Sequence, residues 1–137
     1  MERHDTIHQV TIDGRPISVE DGTTILEAAG RLGIEIPTLC HHPALEPYGV
    51  CRVCIVELRR GKRTRVVTAC NYPIQDDELV ILTNSEGIVR DRRTVLELLL
   101  ARCFSSPWFG NSARSTAFST RTWRRRKGSI APSAAAA

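Results

Sequence analysis

Two short stretches of alternating character open the hydrophobic pattern. Residues 7–12 (Ile-His-Gln-Val-Thr-Ile) and 15–20 (Arg-Pro-Ile-Ser-Val-Glu) read as β-strands, the second with a clear period of two. Asp13-Gly14 stands between them, a pair that tolerates the positive φ of a tight turn, and the three pieces together predict a β-hairpin. Pro16 has no amide N–H to give to a ladder, so that side of its strand is predicted to face outward. After Asp21-Gly22-Thr23-Thr24 the period changes. Ile25, Ala28, Ala29 and Leu32 fall at i, i+3, i+4 and i+7 and predict a helix with one apolar face. Thr24 with Glu27 three residues later is a capping-box pattern at its start, and Gly33 marks its end. From Ile34 to Cys54 three prolines and three cysteines interrupt any period, and a long loop in a small domain usually carries function. Strands are predicted at Cys54–Leu58 and Thr64–Ala69, joined through Arg59-Arg60-Gly61-Lys62, and at Leu79–Leu82. A helix follows from Ser85 or Glu86 to Arg102, with Ile88, Val95 and Leu99 on one face and Val89, Leu96 and Leu100 beside it. Two strands, a helix and then more strands describe a small α+β roll.

Length and composition narrow this picture. The chain has 137 residues, room for one domain, and 42% of them are hydrophobic, which suits a globular core. Its apolar runs are a few residues long, against the roughly 20 that span a bilayer. The start, Met1-Glu2-Arg3-His4-Asp5, is polar and carries no secretory pattern, so a cytoplasmic location is expected. The excess of positive charge is confined to one end. Residues 1–103 hold 13 Lys/Arg and 15 Asp/Glu, a net of −2, whereas residues 104–137 hold 6 Lys/Arg and no acid, a net of +6. The division places a domain at 1–103 and a basic tail at 104–137. That tail is rich in Ser, Thr, Arg and Ala without an apolar period, which predicts disorder; the abrupt change after Phe104 is also what a shift of reading frame would produce. Trp123-Arg124-Arg125-Arg126-Lys127 reads as an incidental basic run, and no nucleic-acid partner is expected.

The cysteines carry the chemistry. Five thiols in a reducing compartment are poor candidates for disulfides, and four stand at motif-like spacing: Cys40-x10-Cys51-x2-Cys54-x15-Cys70, with Cys103 left over. A two-iron cluster needs four thiolates, two per iron, completing two tetrahedra that share the sulfides. Two ferric ions, two sulfides and four thiolates leave a net negative charge that reduction deepens, so the protein must aim amide N–H groups at the sulfurs. A loop supplies such amides because no ladder occupies them. Gly49 permits close backbone approach there, and Pro37, Pro43 and Pro47 stiffen the loop. A zinc-stabilised binding module with a basic tail is the alternative, although structural zinc favours two short Cys-x2–4-Cys knuckles and this chain has one. His41 and His42 read as ordinary loop residues. Arg52 is equally a surface residue or a charge that tunes a cluster, and Asp76-Asp77-Glu78 reads as a solvated acidic turn. Cys103 reads as a small hydrophobe at a helix end. There is no dinucleotide glycine fingerprint, phosphate loop or nucleophile motif, which points away from a stand-alone enzyme.

The segments Ile36-Pro37-Thr38-Leu39-Cys40-His41-His42-Pro43, Gly49-Val50-Cys51-Arg52-Val53-Cys54-Ile55-Val56-Glu57 and Thr68-Ala69-Cys70-Asn71-Tyr72-Pro73 carry a family resemblance. Together they resemble the N-terminal ferredoxin domain of the large iron–sulfur subunit of respiratory NADH dehydrogenase. NAD-linked hydrogenase subunits and NAD-dependent formate dehydrogenases share that domain. The helix bearing Arg92-Arg93-Thr94-Val95-Leu96-Glu97-Leu98-Leu99-Leu100 resembles theirs as well, so the likeness covers about residues 7–103. The resemblance implies a β-grasp fold with one [2Fe–2S] cluster on Cys40, Cys51, Cys54 and Cys70. It further implies an electron-transfer subunit whose partners are flavin- or NAD-linked dehydrogenase, hydrogenase or formate dehydrogenase subunits, with no membrane span of its own and at most a peripheral place on a membrane complex. In the family the last helix leads into a further cysteine-rich segment, whereas here it runs into the basic tail.

Overall fold

Asp13 and Gly14 adopt φ of +48° and +79°, the paired left-handed conformations of a two-residue hairpin turn. They join β1 (Ile7–Ile12) to β2 (Arg15–Glu20) as an antiparallel pair, with Ile12 opposite Arg15 and Ile7 opposite Glu20. The computed structural model describes residues 6–103, apart from the Cys103 side chain, and the predicted basic tail at 104–137 lies outside the described residues. The remaining elements are α1 (Ile25–Arg31), β3 (Ile55–Arg60), β4 (Arg63–Thr68), β5 (Leu79–Leu82) and α2 (Glu86–Cys103).

The strands form one mixed sheet in the order β2-β1-β5-β3-β4. β1 and β5 run parallel at its centre, with Val10 beside Leu79, and the other pairs are antiparallel. Pro16 lies on the edge strand β2, where its missing N–H costs no ladder bond. The β3–β4 hairpin is longer than its hydrophobic pattern suggested: pairing continues through Arg59–Thr64 to Arg60–Arg63 and leaves Gly61-Lys62 as the turn. Arg59, Arg60 and Arg63 there are charged and exposed, so no apolar period marked them as strand.

Thr24 caps α1 as its sequence predicted. Its side-chain oxygen accepts from the Glu27 amide at 3.2 Å, and the Glu27 carboxylate accepts from the Thr24 amide at 2.9 Å. The apolar face of α1 (Ile25, Ala28 and Ala29) is fully buried in one core with Val10, Ile12, Val19, Val56, Ile74 and Ile81. Sheet on one side and helix across it, in this strand order, is the α+β β-grasp arrangement. The chain divides between Val95 and Leu96, so the sheet, α1 and the opening turns of α2 form one compact unit. In that part of α2 Ile88 and Arg92 are buried, Val95 is half-buried, and Val89 faces solvent.

Acidic residues at 76–78 do more than meet water. Asp76 pairs with Arg60 at 2.9 Å, and Asp77 accepts the Gln9 amide at 3.0 Å and faces His8. They pin the approach to β5 onto the neighbouring strands.

Candidate metal centre

The register of one hairpin places two of the four cysteines. Ile55 pairs with Thr68 at the end of β3–β4, and one step further the Ala69 amide donates to the Cys54 carbonyl at 2.9 Å. Beyond that bond both strands leave the ladder for turns, and there the Cys54 and Cys70 thiols lie against each other, the two residues at 1% and 2% exposure. The N-terminus of α1 clamps the same turn. Its first amides, uncommitted within the helix, donate from Ile25 to the Tyr72 carbonyl at 3.1 Å and from Leu26 to the Ala69 carbonyl at 3.0 Å. Cys70 is thus held from both sides by backbone hydrogen bonds.

Cys40 and Cys51 come from the irregular stretch between α1 and β3. Cys51 is partly buried and Cys40 exposed. Their thiols pair with one another, and the amides of Cys51 and Val50 donate to the Cys40 sulfur. The Val53 amide donates to Cys51 Sγ at 3.5 Å. Gly49 sits in this loop at φ +64°, buried, where Asn71 packs against it from the Cys70 turn. The loop thus closes over the Cys54–Cys70 side.

The electrostatics follow from crowding. Burial, the neighbouring Cys54 thiol and the charges of Cys40 and Cys51 push the Cys70 thiol up to about 12. Burial also raises Cys51, with only part of the rise offset by the Val53 amide. Burial acts on Cys40 in the same direction, but the amides of Cys51 and Val50 outweigh it and hold that thiol below its ordinary range. Four thiols this close deprotonate together only beside a strong positive charge, which bound iron provides.

Donor chemistry here fits a binuclear cluster better than zinc. The thiols gather as two pairs, Cys40 with Cys51 and Cys54 with Cys70, matching two irons with two thiolates each. Beside Cys40, the Nδ1 atom of His41 is a buried nitrogen with no protein partner, as expected for a polar atom facing a bound group. His42 behaves as a loop residue, its Nδ1 accepting the Ala44 amide at 3.2 Å. Arg52, between Cys51 and Cys54 in the chain, is exposed at φ +60°.

A cation that the sequence reading passed over belongs to this neighbourhood. Arg92, 7% exposed, donates from Nε to the Val53 carbonyl at 3.0 Å and from Nη2 to the Ile55 carbonyl at 2.8 Å, bracketing Cys54. One signal could have found it: position 92 falls inside the apolar stripe of Ile88, Val95 and Leu99.

Comparison with known proteins agrees with this centre. Residues 6–86 match the family of the 2Fe-2S iron-sulfur cluster binding domain. The NADPH-Fe(3+) oxidoreductase subunit alpha of Geobacter sulfurreducens is 47% identical over 91 residues, 66% of this chain and 10% of its own. Over 98 residues the NADP-reducing hydrogenase subunit HndD of Solidesulfovibrio fructosivorans is 46% identical, covering 67% of this chain and 16% of its own. The mitochondrial NADH-ubiquinone oxidoreductase 78 kDa subunit of Candida albicans is 39% identical over 92 residues, 67% of this chain and 12% of its own. Among solved structures, an NAD+-reducing [NiFe]-hydrogenase in the H2-reduced state superposes with a TM-score of 0.59 at 39% identity, covering 69% of this chain and 38% of that one. The chain therefore spans a small fraction of the curated relatives it matches. A family match over more than half the chain, joined to a β-grasp sheet with four thiols gathered at one end, shows that this chain belongs to the 2Fe–2S iron–sulfur cluster binding domain family.

Proposed function

We propose that Cys40, Cys51, Cys54 and Cys70 ligate one [2Fe–2S] cluster and that the domain relays single electrons inside a larger redox assembly. The observation that carries this reading is the convergence of two thiol pairs, one buried and one at the surface, from a single loop and a single hairpin. When bound, such a cluster supplies one-electron transfer without making or breaking a bond in the protein. The residues here do the rest. Cys54 and Cys70 lie dry against the core, the loop amides of Val50, Cys51 and Val53 donate to sulfur, and the α1 amides hold the Cys70 turn in place.

The relatives are named as subunits of NADPH, NADH and hydrogen-linked oxidoreductases, which supports flavin- or NAD-linked dehydrogenase or hydrogenase subunits as partners; formate dehydrogenase subunits belong to the same expectation. The exposed Cys40 rim, with Leu45, Tyr48 and Val50 uncovered on the same loop, is the face at which a partner approaches. Among the described residues no helix is long and apolar enough to cross a membrane, and we place the protein in the cytoplasm or on the periphery of a membrane complex. The domain proper is residues 1–103, with 104–137 a dispensable extension.

Anaerobic purification tests the ligand set. The full chain should be red-brown and carry two irons and two acid-labile sulfides, and Cys51→Ser or Cys54→Ser should lose them while Cys103→Ser retains them. A colourless, zinc-loaded protein, or iron retained by Cys70→Ser but lost with Cys103, would refute it. Removing 104–137 should leave iron content unchanged.

A further inference from the structure

Arg92 is an unusual arginine. The residue is 7% exposed, yet among the described residues no carboxylate pairs with its guanidinium. The nearest candidate by element, Glu57 on β3, is already taken by the Ser85 hydroxyl and by Arg59. Its four hydrogen bonds all go to neutral acceptors: the carbonyls of Val53, Ile55 and Thr83 at 3.0, 2.8 and 3.0 Å, and Asn84 Oδ1 at 3.4 Å. Those bonds engage all three of its nitrogens but leave its charge uncompensated, and a buried charge without a counter-charge is costly. Burial indeed lowers the Arg92 pKa.

Two of these carbonyls, those of Val53 and Ile55, belong to the residues immediately before and after Cys54. A planar fork held on both flanks of a ligand cannot drift away from it, unlike a flexible lysine. Arg52 lies closer to the cysteines in sequence but is exposed, and water screens its charge.

We propose that Arg92 is the fixed counter-charge of the cluster, offsetting the negative charge gathered at Cys54 and raising the reduction potential. This rests on the four-cysteine ligand set proposed above. One electron enters from a one-electron donor, one unit of negative charge is added, and no proton or bond in this chain changes. A cation held in a dry site favours the more negative state, so it favours reduction. Arg92 is in this sense a positioning and charge-compensating residue.

The test is a potentiometric titration of the full chain, prepared anaerobically, followed by electron paramagnetic resonance, with iron and sulfide measured in every sample. Wild-type protein must first show two irons and two sulfides; if it does not, the ligand reading fails and Arg92 is not yet at issue. Arg92→Gln removes the charge and keeps two donors, and should make reduction about tenfold less favourable, a fall of about 59 mV for one electron. Arg92→Lys keeps the charge and should stay near the wild-type potential. If Arg92→Gln fails to load iron while Arg92→Lys loads it at the wild-type potential, the charge requirement stands. An unchanged potential in Arg92→Gln overturns the proposal. So does Arg92→Lys departing as far as Arg92→Gln, or failing to load, because the fork's hydrogen bonds and not its charge would then be what matters.

Discussion

Gly49 and Asn71 meet so closely that a Cβ on the glycine would stand 2.5 Å from the asparagine Nδ2. Asn71 follows Cys70 and its Oδ1 lies 2.5 Å from the Thr68 hydroxyl, so its side chain is not free to swing aside. This contact joins the loop bearing Cys40 and Cys51 to the turn bearing Cys70. Gly49 also sits at φ +64°, which an L side chain adopts at a cost of about 1 kcal/mol. Gly49→Ala is expected to lower cluster content and speed cluster loss in air, both read from the visible absorbance. Asn71→Ala in the same background removes the clash and should recover part of the loss. Full loading of Gly49→Ala would show that the loop tolerates the added methyl.

His8 reports on pH. Its Nε2 lies 3.1 Å from Asp21 Oδ1 and its Nδ1 3.3 Å from Asp77 Oδ1, so both ring nitrogens face carboxylates and the doubly protonated ring suits the site. Burial pulls its pKa down, but Asp21 and Asp77 together raise it above the ordinary 6.5. Asp77 is shifted the other way, held low by the Gln9 amide and by His8. A raised histidine pKa means stability fully present below 6.5 and lost as pH climbs through the folded value. The Asp77 contribution is present above 3.8 and lost as pH falls through its depressed value. The melting temperature should therefore exceed that of His8→Gln by more at about pH 6 than at about pH 8.5. An identical gap at both values would show that folding leaves the His8 pKa unchanged.

Asp13 closes the hairpin onto a strand far along the chain. Its carboxylate accepts the Thr83 amide at 2.8 Å and the Thr83 hydroxyl at 2.5 Å, and its own amide donates to the Ile81 carbonyl at 2.9 Å. Asp13→Ala should cost about 2 kcal/mol in denaturant unfolding, from lost charge-assisted bonds and from alanine in the left-handed region. Asp13→Asn, which keeps an acceptor and tolerates positive φ, should cost less. Equal losses would assign the effect to charge alone.

Thr24 stabilises the helix that clamps Cys70. Thr24→Ala is expected to lose about 1 kcal/mol of stability. The Glu27 carboxyl is held below its usual range first by the Thr24 amide, so the wild-type cap contributes above 4.5 and weakens as pH falls through the lowered value. Iron release on acidification should consequently begin at higher pH in Thr24→Ala than in wild type, followed by absorbance.

Local signals determined the elements. Alternation at 7–12 and 15–20, Asp13-Gly14 at the turn, the Thr24–Glu27 cap and the helical stripe from Ile88 are each set within a few residues, where chain geometry alone fixes the preference. The cysteine spacing behind the proposed ligand set was visible for a similar reason, since a short pair and a loop suit the ligand count of one cofactor. Strand order was not, because β1 meets β5 across more than sixty residues, and only gathering the inner faces of both strands (Val10, Ile12, Leu79 and Ile81) into one core selects that pairing. Nor could the chain itself show that the Cys54 thiol lies against Cys70, where both strands have left the ladder, or that His8 points inward while Ile7 is 62% exposed. Arg92 marks the sharpest boundary. Charge assigns an arginine to the helix surface by default, and only the carbonyls of Val53 and Ile55, brought under α2 by the folded sheet, make its burial possible.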